Sequence, residues 1–112
     1  LVNPASLGEN QPVSLVRETP NPGQVLVREA VIPSEPGLHA RPASVFVKLA
    51  SKFESEIWVG CNNDRVNGKS IIGLLTLAAG KGMKLVIEAE GKDAKVAVEA
   101  LVLLVEGNFK TT

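Results

Sequence analysis

An α+β domain, with helices on one face of a four-stranded sheet, is the fold class that this sequence predicts, and three observations predict it. Two-residue alternation and helical periodicity take turns along the chain in the order strand, helix, strand, strand, helix, strand, helix. Breakers stand where one pattern gives way to the next, among them Pro33, Pro36, Asn62, Asn63, Gly80, Gly91 and Gly107. The 112 residues are 45% hydrophobic, rich in Val, Leu, Ile and Ala with three Phe and one Trp, which sustains one domain around a single aliphatic core.

Residues 1–24 differ from everything after them. Pro4, Pro12, Pro20 and Pro22, with Asn3, Asn10, Asn21, Gly8 and Gly23, interrupt any period before it is established, so the segment reads as a linker or tail. The folded domain is expected over residues 25–109, with a short C-terminal tail at 110–112. Residues 25–32 are high in β-branched content and unbroken, a first strand with Ala30 and Ile32 on one side and Glu29 and Val31 on the other. Pro33 to Gly37 then form a tight loop.

A first helix is predicted over residues 40–52, where Phe46, Leu49, Ala50 and Phe53 make the apolar stripe and Ser44, Lys48 and Ser51 fall on the wet face. Residues 56–61 alternate Ile57, Val59 and Cys61 against Glu56, Trp58 and Gly60, a second strand in which Trp58 reads as a half-exposed packing residue. Asn62, Asn63 and Asp64 favour a hairpin into a short strand over residues 65–67. Ser70 is a favoured cap type and opens a second helix to about residue 77. Its Ile71, Ile72, Leu74, Leu75 and Leu77 exceed what one buried stripe requires, so part of this set is expected at the surface as an interface.

Gly80-Lys81-Gly82 is expected to end that helix, and residues 83–90 form a fourth strand with Leu85, Ile87 and Ala89 inward. After the turn at Gly91 and Lys92, Asp93 is the expected side-chain cap of a last helix running to residue 106. Ala97, Ala100, Leu101, Leu104 and Val105 give that helix its apolar face, and Gly107 stops it.

The stretch Gly37-Leu38-His39-Ala40-Arg41-Pro42-Ala43-Ser44 carries the chemistry. It holds the single histidine of the chain, followed by an arginine and by a proline suited to a helix's first turn, which places His39 at a helix N-terminus. There the first backbone N–H groups have no intrahelical acceptor and the peptide dipoles favour an anion. Arg41 adds a planar guanidinium matched to phosphate oxygens. Each residue also has a plainer reading: a lone histidine is commonly a surface or core residue, Arg-Pro commonly a helix start, and Ser70 simply a cap.

Gly-Leu-His-Ala-Arg-Pro-Ala resembles the active-site signature of the HPr histidine phosphocarriers of the bacterial sugar phosphotransferase system. Lys69-Ser70-Ile71-Ile72-Gly73-Leu74 resembles the family's second signature, at the expected distance and without an insertion. The resemblance covers residues 25 to 109 and implies an HPr-like open-faced sandwich, βαββαβα, with a four-stranded antiparallel sheet covered on one face by three helices. It implies that His39 is the phosphoacceptor through Nδ1, and that Arg41 and the backbone N–H groups of Ala40 and Arg41 stabilise the phosphate. Enzyme I would be the donor, enzyme IIA domains the acceptors, and the protein a cytoplasmic, monomeric carrier without cofactor rather than an independent multiple-turnover enzyme.

The resemblance further implies a partner face on the first two helices, here Ser44, Lys48, Lys69, Ile71, Ile72 and Leu75, and makes Ser70 a candidate for phosphorylation by an HPr serine kinase. The sequence departs from the family at Pro36, where many members carry a capping Asn, Asp or Ser; Ser34 or a backbone carbonyl is the expected substitute. HPr-like domains also occur fused to enzyme I-like or IIA-like domains, so residues 1–24 read equally as an interdomain connection or a processed tail.

Twelve acidic and twelve basic residues cancel, which argues against nucleic acid as a partner and makes any affinity for phosphate local. A lone Cys61 gives neither an intrachain disulfide nor a zinc site, and no apolar run approaches a membrane span. Two other readings compete: an HPr-shaped regulatory protein controlled through Ser70, and a small-molecule or RNA-binding module of similar topology. The first has no need of His39 and Arg41. The second is disfavoured by the neutral charge, the few aromatics and the lack of a glycine-rich phosphate loop.

Overall fold

The computed structural model describes residues 25–110; the expected linker at 1–24 and residues 111–112 lie outside the described residues. The elements are β1 (Val25–Val31), α1 (Ala40–Ala50), β2 (Glu56–Cys61), β3 (Asp64–Asn67), α2 (Ile71–Thr76), β4 (Lys84–Glu90) and α3 (Ala94–Glu106). The strands lie in the order β1-β4-β2-β3 and every neighbouring pair is antiparallel. The last strand is thus inserted between the first two, in the βαββαβα arrangement expected.

Alternation decides which face is buried. Ala30, Ile57, Val59, Cys61, Leu85, Ile87 and Ala89 point to one side and are buried against Phe46 and Ala50 of α1, Leu74 of α2, and Ala97, Val98, Leu101 and Val105 of α3. The other side of the sheet is open to solvent. Val25, Val27 and Val31 are exposed there, Arg65 bonds Glu88 at 3.0 Å, and the Arg65 guanidinium lies 4.4 Å from the centre of the Trp58 ring. Trp58 therefore packs under an arginine on the open face and takes no part in the core.

The hairpin at Asn62 and Asn63 is as expected, with both residues in the left-handed region that a two-residue turn between Cys61 and Asp64 requires. Other boundaries differ. Helix α1 ends at Ala50, two residues short of the expected Lys52, because Lys52 and Phe53 already donate to Leu49 and Ala50 in tight turns. Helix α2 ends at Thr76, and the reversal falls on Ala78 (φ 51°), ahead of the glycines at 80 and 82. At the end of α3, Gly107 is the C-cap with φ −86°, and the left-handed conformation is taken by Asn108 and Phe109.

The expected cap at Asp93 is the most instructive correction. Asp93 does precede α3, but its carboxylate caps nothing there. It accepts the backbone N–H of Glu54 at 2.9 Å, the backbone N–H of Ser55 at 3.0 Å and the Ser55 hydroxyl. Ser55 is the one buried polar residue among those described, at 1% exposure, so its donors need an acceptor at this point. Gly91 (φ 147°) allows the approach, since a Cβ there would stand 2.6 Å from the Ser55 hydroxyl oxygen. Partial burial pushes the Asp93 carboxyl up, but the bonds from the Ser55 hydroxyl and the Glu54 and Ser55 N–H groups outweigh it and hold the carboxyl below its ordinary value.

Asp93→Ala is therefore expected to cost roughly 1–3 kcal/mol at neutral pH, read from urea unfolding midpoints, because it orphans buried donors. The folded carboxyl titrates lower than the unfolded one, so its ionised form stabilises the fold fully above the unfolded value. That contribution is lost as pH falls through the depressed folded value, and the gap between wild type and Asp93→Ala should narrow in strong acid.

Candidate functional site

The loop between β1 and α1 is clamped to the loop between α2 and β4, and this fixes His39. Ile32 donates to Met83 O at 3.0 Å, Gly82 donates to Ile32 O at 2.8 Å, and Leu38 donates to Ala79 O at 2.9 Å. Leu38 and Ala79 are buried. Between these bonds the chain passes through Gly37 at φ 84°, where a Cβ would lie 2.5 Å from Ala79 O and 2.7 Å from Gly80 Cα. Only glycine permits this backbone-to-backbone contact.

His39 follows directly as the N-cap of α1, with extended backbone (φ −111°, ψ −165°) and no hydrogen bond from its side chain to the helix. Its carbonyl accepts Ala43 N–H at 2.9 Å, which opens the helix. Pro42, in the first turn, has no N–H to offer, so the donors left without an intrahelical acceptor are those of Ala40 and Arg41. The imidazole, two oriented N–H groups and the Arg41 side chain are all exposed at one helix end. The expected replacement for the missing cap does not appear at Ser34, whose hydroxyl donates instead to Asn108 Oδ1 at 2.7 Å.

Beside His39 lies a cleft of about 270 Å³. One wall is Arg41, Pro42 and Val45, a second is the loop from Glu35 to Gly37, and a third is formed by Asn108, Phe109 and Lys110 from the other end of the domain. Sequence reasoning missed the third wall, since residue 110 was assigned to a tail. No local pattern reports the 74-residue separation between Ser34 and Asn108.

The expected partner residues separate into groups. Ile71, Ile72 and Leu75 of α2 are exposed, Ile72 most at 76%, while Leu74 and Leu77 are buried. Ser70 is the N-cap of α2 and its hydroxyl oxygen accepts Gly73 N–H at 3.0 Å. Lys69 is half-buried and its ammonium donates to Phe53 O at 2.8 Å, which ties α2 to the chain just after α1. Ser44 and Lys48 are exposed on α1, but Lys48 lines a groove between α1 and α3 with Leu49 and Leu103.

Elsewhere little chemistry is on offer. Burial, then the nearby Asp64 carboxylate, pushes the Cys61 thiol up and away from a reactive thiolate. No group of metal-ligating side chains occurs among the described residues, and no helix among them is long and apolar enough to cross a membrane.

The family model described as "PTS HPr component phosphorylation site" matches residues 26–107. The chain is 51% identical over 73 residues to the phosphocarrier protein HPr of Neisseria meningitidis serogroup A, covering 65% of this chain and 82% of that protein. It is 46% identical to the phosphocarrier protein HPr of Borreliella burgdorferi over 74% of this chain and 95% of that one. Among solved structures, an HPr of Thermoanaerobacter tengcongensis superposes with a TM-score of 0.73 at 44% identity, covering 78% of this chain and 98% of that one.

Gly37→Ala is expected to destabilise the fold by roughly 2 kcal/mol or more, since it combines a left-handed backbone with a close approach to Ala79. Thermal unfolding measures the cost. The His39 ring resonances should shift with it, because the clamp and the helix cap are consecutive in the chain.

Proposed function

We propose, from the premise that this chain belongs to the HPr phosphocarrier family of the phosphotransferase system, that His39 accepts a phosphoryl group from phosphorylated enzyme I. It then passes the group to an enzyme IIA domain in the cytoplasm. The observation that carries this reading is an imidazole left free of capping duty at a helix start where Ala40 and Arg41 present unbonded N–H groups.

In this mechanism the neutral ring attacks phosphorus in line, through Nδ1 by the family resemblance. The new N–P bond forms as the donor's bond to the phosphoryl group breaks, and no base is needed because a neutral imidazole already carries a lone pair. Arg41 and the two N–H groups neutralise charge on the transferring oxygens and hold the product on a rigid mount. A carrier exchanges with donor and acceptor in turn, so docking is weak and reversible. The exposed Ile71, Ile72 and Leu75 suit such docking, with Ser44 at the rim and Lys48 on the flank nearer α3.

Phosphorylation of Ser70 as a control of docking is subordinate to this reading. Its hydroxyl already serves as a cap, and what favours a regulatory role is its place beside Ile71 and Ile72.

Incubation with enzyme I, magnesium and labelled phosphoenolpyruvate is expected to give an acid-labile label that His39→Ala abolishes. A stable label, or one retained in His39→Ala, would sink the assignment. Ile72→Glu leaves the fold intact because the side chain is exposed. It should raise the KM for this protein as enzyme I substrate roughly tenfold while leaving kcat nearly unchanged.

A further inference from the structure

We infer that Lys110 is a second cation of the phosphate site, and that the positive charge of the cleft beside His39 depends on it. This rests on the carrier reading and extends it to a binding residue outside the Gly37–Ser44 stretch.

The residues around the cleft that bear ionic groups are Glu35, Arg41 and Lys110, the last of which also borders the groove between α1 and α3. Glu35 and Arg41 cancel, so without Lys110 the cleft would offer no net charge to a phosphoryl group bearing close to two negative charges. With Lys110 the balance is one positive charge in excess. The chain as a whole carries none, so this local surplus is what an incoming anion meets at short range.

Lys110 is held there by its backbone. Gly107 donates to Leu103 O at 2.9 Å, Asn108 to Val105 O at 3.0 Å and Phe109 to Leu104 O at 2.7 Å, which folds the end of α3 back on itself. Asn108 and Phe109 both adopt φ 62°, an unfavourable conformation for a bulky residue. The turn persists because the Phe109 ring is buried, at 8% exposure, and because Asn108 accepts the Ser34 hydroxyl from the loop that precedes His39. The loop that precedes His39 and the end of α3 thus converge on one cleft, and the lysine that follows Phe109 starts from a fixed point on its wall.

Titration with inorganic phosphate, followed through the His39 ring resonances, tests the inference on four proteins. Lys110→Gln is expected to weaken phosphate roughly threefold and Glu35→Gln to tighten it by a similar factor, both differences shrinking as ionic strength rises, as for exposed charges. Lys110→Arg keeps the charge and should restore wild-type affinity. Equal affinity in wild type and Lys110→Gln would overturn the inference, as would failure of Lys110→Arg to restore binding. Enzyme I takes no part in this titration. His39 left unlabelled by enzyme I would therefore count against the carrier reading, and a flat Lys110→Gln response against this one.

Discussion

One-sided burial governs this molecule. The four strands hide a single face, and every helix must press onto that face for the aliphatic core to close. Helix α1 meets this requirement with Ala43, Phe46 and Ala50, which fixes its direction and leaves its first turn at the rim of the layer. The chemistry sits at that rim because the core has settled where the helix begins. A histidine on a free loop would meet phosphate in many orientations; here the clamp from Leu38 to Ala79 and the start of α1 allow few.

Legibility in the sequence followed the range of the interactions. Every strand and helix could be read from periodicity, since alternation and the helical stripe are local consequences of burying one side. The position of His39 could be read too, because the cap, the proline in the first turn and the free N–H groups involve neighbours only. The antiparallel sheet came from the family resemblance. Asp93 was misread because its bonding partners, Glu54 and Ser55, lie 39 and 38 residues away, and a buried serine hydroxyl outcompeted the helix it was expected to cap. The wall formed by Asn108, Phe109 and Lys110 was missed for the same reason. Glycine was also too strong a guide to chain reversals: Ala78, Asn108 and Phe109 turn the chain where buried neighbours compensate for the strain.

Charge in this protein is a matter of placement. Acidic and basic residues balance overall, and the open face of the sheet pairs Arg65 with Glu88 and Lys84 with Glu29. Lys69 is committed to a carbonyl, which leaves α2 presenting aliphatic side chains with little charge around them. The exposed aliphatic surface of α2 and the cleft beside His39 therefore differ in kind, one apolar and the other lined by Glu35, Arg41 and Lys110.

The two ends of the domain are not equivalent as places to attach something. Strand β1 runs from Val25 to the loop that carries His39, and its seven residues at about 3.3 Å each put roughly 20 Å between its start and that loop. The other end leaves from Lys110, on the wall of the cleft itself. The point of attachment at Val25 thus lies a strand's length from His39, whereas a module joined just after Lys110 would start on the wall of the cleft.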